Sequence, residues 1–399
     1  MIKLYKYYLV FTCIRDNNLL LIPSSGCLLK ADSSSAFINN KKNKKGAYML
    51  NNLLIVINKV SLVATLLCVL FCTAFFTQAQ STTESTIQQN YLVEPFIPNR
   101  ADPWVHRTDS GDYYFTGSVP EYDRIELRHA STLNGLKTAT KKVVWRKNAT
   151  GPMSVNIWAP ELHHIDGVWY IYFAAGDVDK PFSIRMYALK NTSKDPMKGD
   201  WQEAGKVKVS RESFSLDATS FTHQGERYLV WAQQDEAQSY NTGLIIAKMK
   251  NPLEVEQPEV YITEPLLAWE RQGYKVNEGA AVLKRNGKIF ITYSASATDH
   301  RYAMGLLWAD ENADLLKPES WHKLPEPVFT TQENLFRFGP GHNSFTVSED
   351  GKKDLMIYHA RDYLNLRGTP LTDGNRHARI REITWSEAGF PVFNNTLKD

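Results

Sequence analysis

Apolar and polar positions along this chain alternate in short runs, and the runs recur in groups. Aromatic-rich segments such as Tyr113-Tyr114-Phe115, Trp169-Tyr170-Ile171-Tyr172-Phe173, Tyr228-Leu229-Val230-Trp231, Ile289-Phe290-Ile291-Thr292-Tyr293 and Leu355-Met356-Ile357-Tyr358 each follow a glycine: Gly111, Gly167, Gly225, Gly287 and Gly351. Such residues favour a pleated, half-buried strand, and a glycine ahead of one marks a hairpin turn. Upstream of each glycine stands an acidic or histidine-bearing segment: Asp102, Glu161, Asp217, Glu278 and His342, in that order. Further strand-like runs follow the aromatic ones, including Ser183–Ala188, Gly243–Ala247 and Met304–Ala309, and these read as third strands of the same units. Five units of roughly 60 residues, each of several short strands, predict an all-β, five-bladed β-propeller. A two-sheet sandwich does not account for so long a period. From Glu94 onward no long amphipathic helix and no shift of composition marks a second domain, so residues 94–399 are expected to form the propeller.

Charge and cysteine usage divide the chain at one place. Residues 1–80 hold nine Lys and Arg against Asp16 and Asp32, so the overall charge of +3 leaves −4 for residues 81–399, where 37 basic residues face 41 acidic ones. The apparent basicity belongs to the leading segment, and the remainder carries no nucleic-acid footprint. All four cysteines, Cys13, Cys27, Cys68 and Cys72, also precede residue 81. Disulfides and thiolate metal sites are thereby excluded from the rest. Lys59, the apolar run Val60–Phe76 and the small residues of Thr77-Gln78-Ala79 have the layout of a secretory signal cleaved after Ala79. A retained membrane anchor is the alternative reading of the same run. Met49 stands where such a signal would begin. Residues 1–48 are accordingly expected to be an upstream extension, 49–80 the signal peptide and 81–93 a polar linker, with the propeller exported to the periplasm or beyond.

Blades converge on a central axis, so Asp102, Asp217 and Glu278, alike in position but far apart in sequence, are expected to share one pocket. One acidic residue at such a place is ordinarily a turn former. Three buried together are costly without partners, and imply a shared proton, a cation or a reaction. Two carboxyls on opposite sides of a glycosidic bond suffice for its hydrolysis, one as acid and one as base or nucleophile. A third carboxylate would raise the pKa of the acid by repulsion.

The five segments Arg100-Ala101-Asp102-Pro103, Trp158-Ala159-Pro160-Glu161, Ser215-Leu216-Asp217-Ala218, Val276-Asn277-Glu278-Gly279 and Gly339-Pro340-Gly341-His342-Asn343-Ser344 resemble, in order and spacing, the blade motifs of glycoside hydrolase family 43, from about Pro95 to about Phe393. The resemblance implies a five-bladed propeller of inverting glycosidases. It implies Asp102 as general base, Glu278 as general acid, and Asp217 as the group that tunes and orients Glu278. It further implies His342 on the axis as a holder of a hydrated structural calcium, with no cofactor needed for the chemistry, and Arg379 as a contact to sugar hydroxyls. Trp158 is a candidate to stack on a sugar ring or to fill inter-blade core, and Trp104 has the same two readings. The segments Asn99–Trp104 and Ser118–Asp123 are similar to arabinofuranosidase-type members. The expected activity is therefore exo-acting release of α-L-arabinofuranose from plant cell-wall arabinan or arabinoxylan, with no protein partner implied. β-Xylosidase, endo-arabinanase and a non-catalytic carbohydrate-binding propeller remain alternatives. The retaining fructan hydrolases share an Arg-Asp-Pro motif but pair their acid with a cysteine, which this part of the chain lacks.

Overall fold

The computed structural model describes residues 94–393. The expected extension, signal and linker at 1–93 lie outside the described residues. Within them the chain forms five antiparallel sheets. The first comprises β1 (Ala101–Arg107), β2 (Tyr113–Ser118), β3 (Arg124–Ala130) and β4 (Lys142–Arg146), and the second β5 (Val155–Ile165), β6 (Val168–Asp177), β7 (Lys180–Asn191) and β8 (Gln202–Lys206). The third holds β9 (Ser215–His223), β10 (Glu226–Gln233), β11 (Gly243–Asn251) and β12 (Glu254–Val255), with β13 (Val260–Thr263) also paired to β11. The fourth is β14 (Asn277–Arg285), β15 (Lys288–Ala295), β16 (Ala303–Asp310) and β17 (His322–Lys323). The fifth is β18 (Phe338–Val347), β19 (Asp354–Arg361), β20 (His377–Trp385) and β21 (Pro391–Val392). One short helix, α1 (Leu133–Thr138), follows β3. The aromatic segments read from sequence are the second strands β2, β6, β10, β15 and β19, and the three later runs lie in the third strands β7, β11 and β16.

Alternation along the second strands puts side chains on both faces of each blade, and both faces are covered by neighbouring blades. Tyr113, Tyr172, Trp231, Phe290 and Tyr358 are all buried. The resulting core is five clusters, one at each inter-blade junction. Tyr114, Leu127, Ile171 and Phe173 join the first blade to the second. Tyr172, Met186, Leu229 and Trp231 join the second to the third, and Val230, Leu244, Ile291 and Tyr293 the third to the fourth. Phe290, Leu306, Met356 and Tyr358 join the fourth to the fifth. The last junction contains Phe96 and Ile97 together with Val105, Phe115, Ile357 and Ile380. There the backbone N–H of Phe96 donates to the Ala378 carbonyl at 2.8 Å, and Ala378 N–H returns to Ile97 O at 3.0 Å. The first described segment thus adds to β20 of the last blade and closes the ring.

The acid-bearing motifs, expected in loops ahead of the strands, are instead built into the innermost strands themselves. Each innermost strand carries a register irregularity at its start. At each one a residue sits in the left-handed region: Asp102 (φ 50°), Ala159 (φ 46°), Asp217 (φ 57°), Gly279 (φ 60°) and His342 (φ 43°). A bulge of this kind re-aims a side chain that regular pleating would send elsewhere. Holding a non-glycine residue there costs on the order of 1–3 kcal/mol, which the surrounding structure has to supply. The second-blade counterpart of Asp102 is therefore Ala159, and Glu161 falls two residues later on the same strand. Glu161 is buried against His163, with its Oε2 at 3.0 Å from Nε2, and does not reach the central cavity.

Candidate active site

A cavity of about 530 Å³ opens where the starts of the innermost strands converge. Asp102, Asp217, Glu278, His342 and Trp158 all line it. The sequence therefore located five of its members. Two kinds of segment build it: the entries to innermost strands, and the connections between second and third strands. The second kind supplies Phe182, Asn241, Tyr302 and Arg376.

Asp102 is the most heavily partnered of the three acids. Ser118 Oγ donates to its Oδ2 at 2.6 Å, and the same hydroxyl accepts the Ala159 N–H at 2.8 Å, which ties the first two bulges together. Arg376 Nη1 donates to Oδ1 at 3.2 Å. His342 Nδ1 lies 3.4 Å and His359 Nδ1 3.3 Å from the same oxygen, and His359 Nδ1 also receives the Asp102 backbone N–H at 3.1 Å. Burial by itself would raise this carboxyl. Arg376, then His342 and His359, override that effect and hold it well below the usual carboxylate range.

Glu278 meets the opposite conditions. Its one hydrogen-bond partner is Tyr302, whose Oη donates to Oε1 at 2.8 Å. Burial is the largest influence and pushes the carboxyl up, to about 7. The Tyr302 bond and Arg376 pull it back, and the charge of Asp102 adds to the rise. Asp217 is also pushed up, first by burial, then by repulsion from Glu278 and Asp102. The Gly279 N–H bond to its Oδ2 at 2.9 Å and Arg376 oppose that rise. Repulsion between Asp217 and Glu278 is mutual, but burial is the first cause for each. The cavity thus holds one carboxylate kept ionised and one carboxyl able to carry its proton near neutral pH, which is the separation that paired acid and base chemistry needs.

Two glycines make this packing possible. A Cβ on Gly279 would stand 3.0 Å from Cγ of His342, at a backbone angle side chains rarely adopt, and one on Gly341 would stand 2.5 Å from the Tyr302 ring. The Tyr302 ring in turn stacks on His359, with centroids 5.7 Å apart and planes 5° from parallel. The partner of Glu278 and a partner of Asp102 are thereby packed face to face.

The structure moves one candidate. Arg379 does not line the cavity. It lies within β20, where it pairs with Tyr358, and its guanidinium turns to Asp362. Arg376, just before β20, is the arginine at the site, and Tyr122 Oη accepts its Nη2 at 3.0 Å. Three residues along an extended strand reverse the side chain, so the shift from 379 to 376 changes faces. Trp158 lines the cavity with an edge-to-face contact to Tyr122, ring centroids 6.1 Å apart. It also packs against the core between blades three and four, so both of its readings hold. Trp104 belongs to the inter-blade core, with Nε1 donating to Leu162 O at 2.8 Å.

His342 turns Nδ1 towards Asp102 and, at 3.8 Å, Asp217. Burial lowers its pKa, against the pull of Asp102, which favours the neutral ring. No group of three or more His, Cys, Asp or Glu side chains among the described residues is arranged to hold a metal ion. Calcium prefers six to eight oxygen ligands, so one imidazole does not make a direct shell for it. Sequence reasoning missed Ser118, Tyr302, His359 and Arg376. Ser118 and Arg376 stood inside segments already singled out. His359, polar within the apolar run of β19, was a signal of the same kind.

A closed five-bladed ring with acids converging on one end of its axis is the architecture of a propeller glycoside hydrolase. Residues 93–391 match the family Glycosyl hydrolases family 43, and the chain belongs to that family. It is similar to an extracellular exo-alpha-(1->5)-L-arabinofuranosidase of Streptomyces avermitilis, 50% identical over 308 residues, which cover 77% of this chain and 64% of that one. A protein of the same description from Streptomyces chartreusis is 52% identical over 276 residues, covering 69% of this chain and 84% of its own. The chain thus spans a little under two thirds of the first relative. Among solved structures, the crystal structure of an α-L-arabinofuranosidase from Lactobacillus brevis is 48% identical, with a TM-score of 0.74, and covers 77% of this chain and 97% of that one.

Proposed function

We propose that this protein is an exported, exo-acting α-L-arabinofuranosidase that hydrolyses arabinan or arabinoxylan chains with inversion. The observation that carries the reading is the electrostatic contrast across one cavity. Asp102 is held ionised by Arg376 and two imidazoles, while Glu278 is held near neutral pH by burial. In the proposed reaction the Asp102 carboxylate takes a proton from water as the oxygen attacks the anomeric carbon. Glu278 gives its proton to the glycosidic oxygen as that bond breaks, and the base and acid end in exchanged protonation states. Asp217 holds the Gly279 backbone beside Glu278 and adds repulsion that disfavours its charged form. Trp158 and Arg376 face the sugar. The choice of arabinose, and of secretion, rests on the arabinofuranosidases to which the chain is similar, two of them described as extracellular.

The test offers residues 81–399 aryl α-L-arabinofuranoside and aryl β-D-xyloside side by side, with Glu278→Gln run in parallel. Preference for the arabinoside, with kcat reduced about 10²–10⁴-fold in the variant, is expected. Preference for the xyloside would retain the acid and base but replace the sugar. Turnover unaffected by the variant would overturn the assignment of Glu278.

A further inference from the structure

The floor of the cavity is charged and buried, but part of its rim is apolar and open. Phe182 and Tyr274 line the cavity and keep 63% and 45% of their surface exposed. Large apolar side chains left in water beside a polar pocket mark a place where something else covers them. Both stand on anchored backbone. Beside Phe182, the Pro181 carbonyl accepts Asn156 Nδ2 at 2.8 Å and approaches Gly176 so closely that a Cβ there would lie 2.5 Å from it. Beside Tyr274, the Lys275 carbonyl accepts the Asn241 N–H at 2.8 Å, and Thr242 O accepts the Asn277 N–H at 2.9 Å. These aromatics are held out, with little conformational entropy left to lose when they are covered.

Position indicates what covers them. Tyr274 lies four residues before Glu278 on the same chain segment, so it stands on the side of the acid. The acid protonates the oxygen that joins the cleaved sugar to the rest of its chain, and the departing sugars therefore lie on that side. A pentose unit there presents its C–H faces as well as its hydroxyls, and exposed aromatic rings match the former. We propose that Phe182 and Tyr274 form a leaving-group platform that recognises the second and third sugars of an arabino-oligosaccharide, giving the enzyme preference for chains over disaccharides. This rests on the hydrolase reading of the same cavity.

The experiment measures kcat/KM on α-1,5-linked arabinobiose, arabinotriose and arabinotetraose for wild type, for the double variant Phe182→Ala/Tyr274→Ala, and for the ring-retaining Phe182→Tyr/Tyr274→Phe. The wild-type ratio of tetraose to biose is expected to exceed one. Loss of two aromatic contacts should reduce that ratio about 10-fold, and the ring-retaining variant should restore it. A flat wild-type series, or a ratio unchanged in the alanine variant, would overturn the platform. So would an equal loss on all three substrates, which marks a structural role. If wild type cleaves only xylo-oligosaccharides, the sugar assignment fails alone and the ratio is read on xylobiose to xylotetraose. If it cleaves neither series, the hydrolase reading fails and the platform with it.

Discussion

Three carboxylic acids in one cavity have different proton affinities because each has different neighbours. Asp102 has a guanidinium, two imidazoles and a hydroxyl, whereas Glu278 has one phenol. The activity profile should therefore have a low-pH limb set by protonation of Asp102 and a high-pH limb, near 7, set by loss of the Glu278 proton. Tyr302 donates to Glu278 and favours its ionised form. Tyr302→Phe removes that preference, so the high-pH limb is expected to move to higher pH, as a rate profile on an aryl glycoside would record. Asp217→Asn acts in the other direction: it removes a group that repels the Glu278 charge, and the same limb should move to lower pH. Because burial is the first cause of the Glu278 rise, this shift should be smaller than the whole displacement. An unmoved limb would leave Asp217 with its bond to Gly279 as its only function.

At the scale of strands, the bulge at the start of each innermost strand decides which side chain faces the axis. Pleating alternates side chains with a period of two, so one extra residue moves every later side chain to the opposite face. That is how Ala159 rather than Glu161 came to stand beside Asp102, and why two residues on one strand, Glu161 and His163, face each other in the core. The same parity separates Arg376 from Arg379 at β20. Arg376→Ala removes the strongest stabiliser of the Asp102 charge, so the low-pH limb should rise towards neutrality and kcat should fall. Arg379→Ala is expected to leave both limbs in place and to lower the melting temperature, since its guanidinium is buried against Asp362. Movement of the low-pH limb in the second variant rather than the first would reverse the assignment of the two arginines.

For the molecule as a whole, the catalytic geometry depends on closure of the ring. No blade contains both Asp102 and Glu278, so their separation is maintained by five inter-blade clusters and by the strand addition of Phe96 and Ile97 to the last blade. Phe96 is 1% exposed and packs edge-on to Phe115 with centroids 6.1 Å apart. Phe96→Ala should cost about 3–5 kcal/mol, the usual range for such a truncation, measured by denaturant unfolding. The pH limbs of the folded fraction should be unchanged, because nothing near the cavity is altered. A loss under about 1 kcal/mol, well below that range, would show that closure does not depend on this segment.

The amino-acid order determined the five units, the hairpin glycines, the aromatic second strands and the identity of the three acids, because each of these is a local pattern of a few residues. Strand pairing between neighbours in sequence needs little more. Tertiary structure alone decided which arginine serves Asp102, 274 positions away, and that His359, 257 positions away, receives its backbone N–H. It also decided that burial, more than a third carboxylate, keeps Glu278 protonated, and that Glu161 falls outside the cavity. These outcomes depend on desolvation and on the parity of bulged strands. Both are properties of how blades meet, and a linear pattern carries neither.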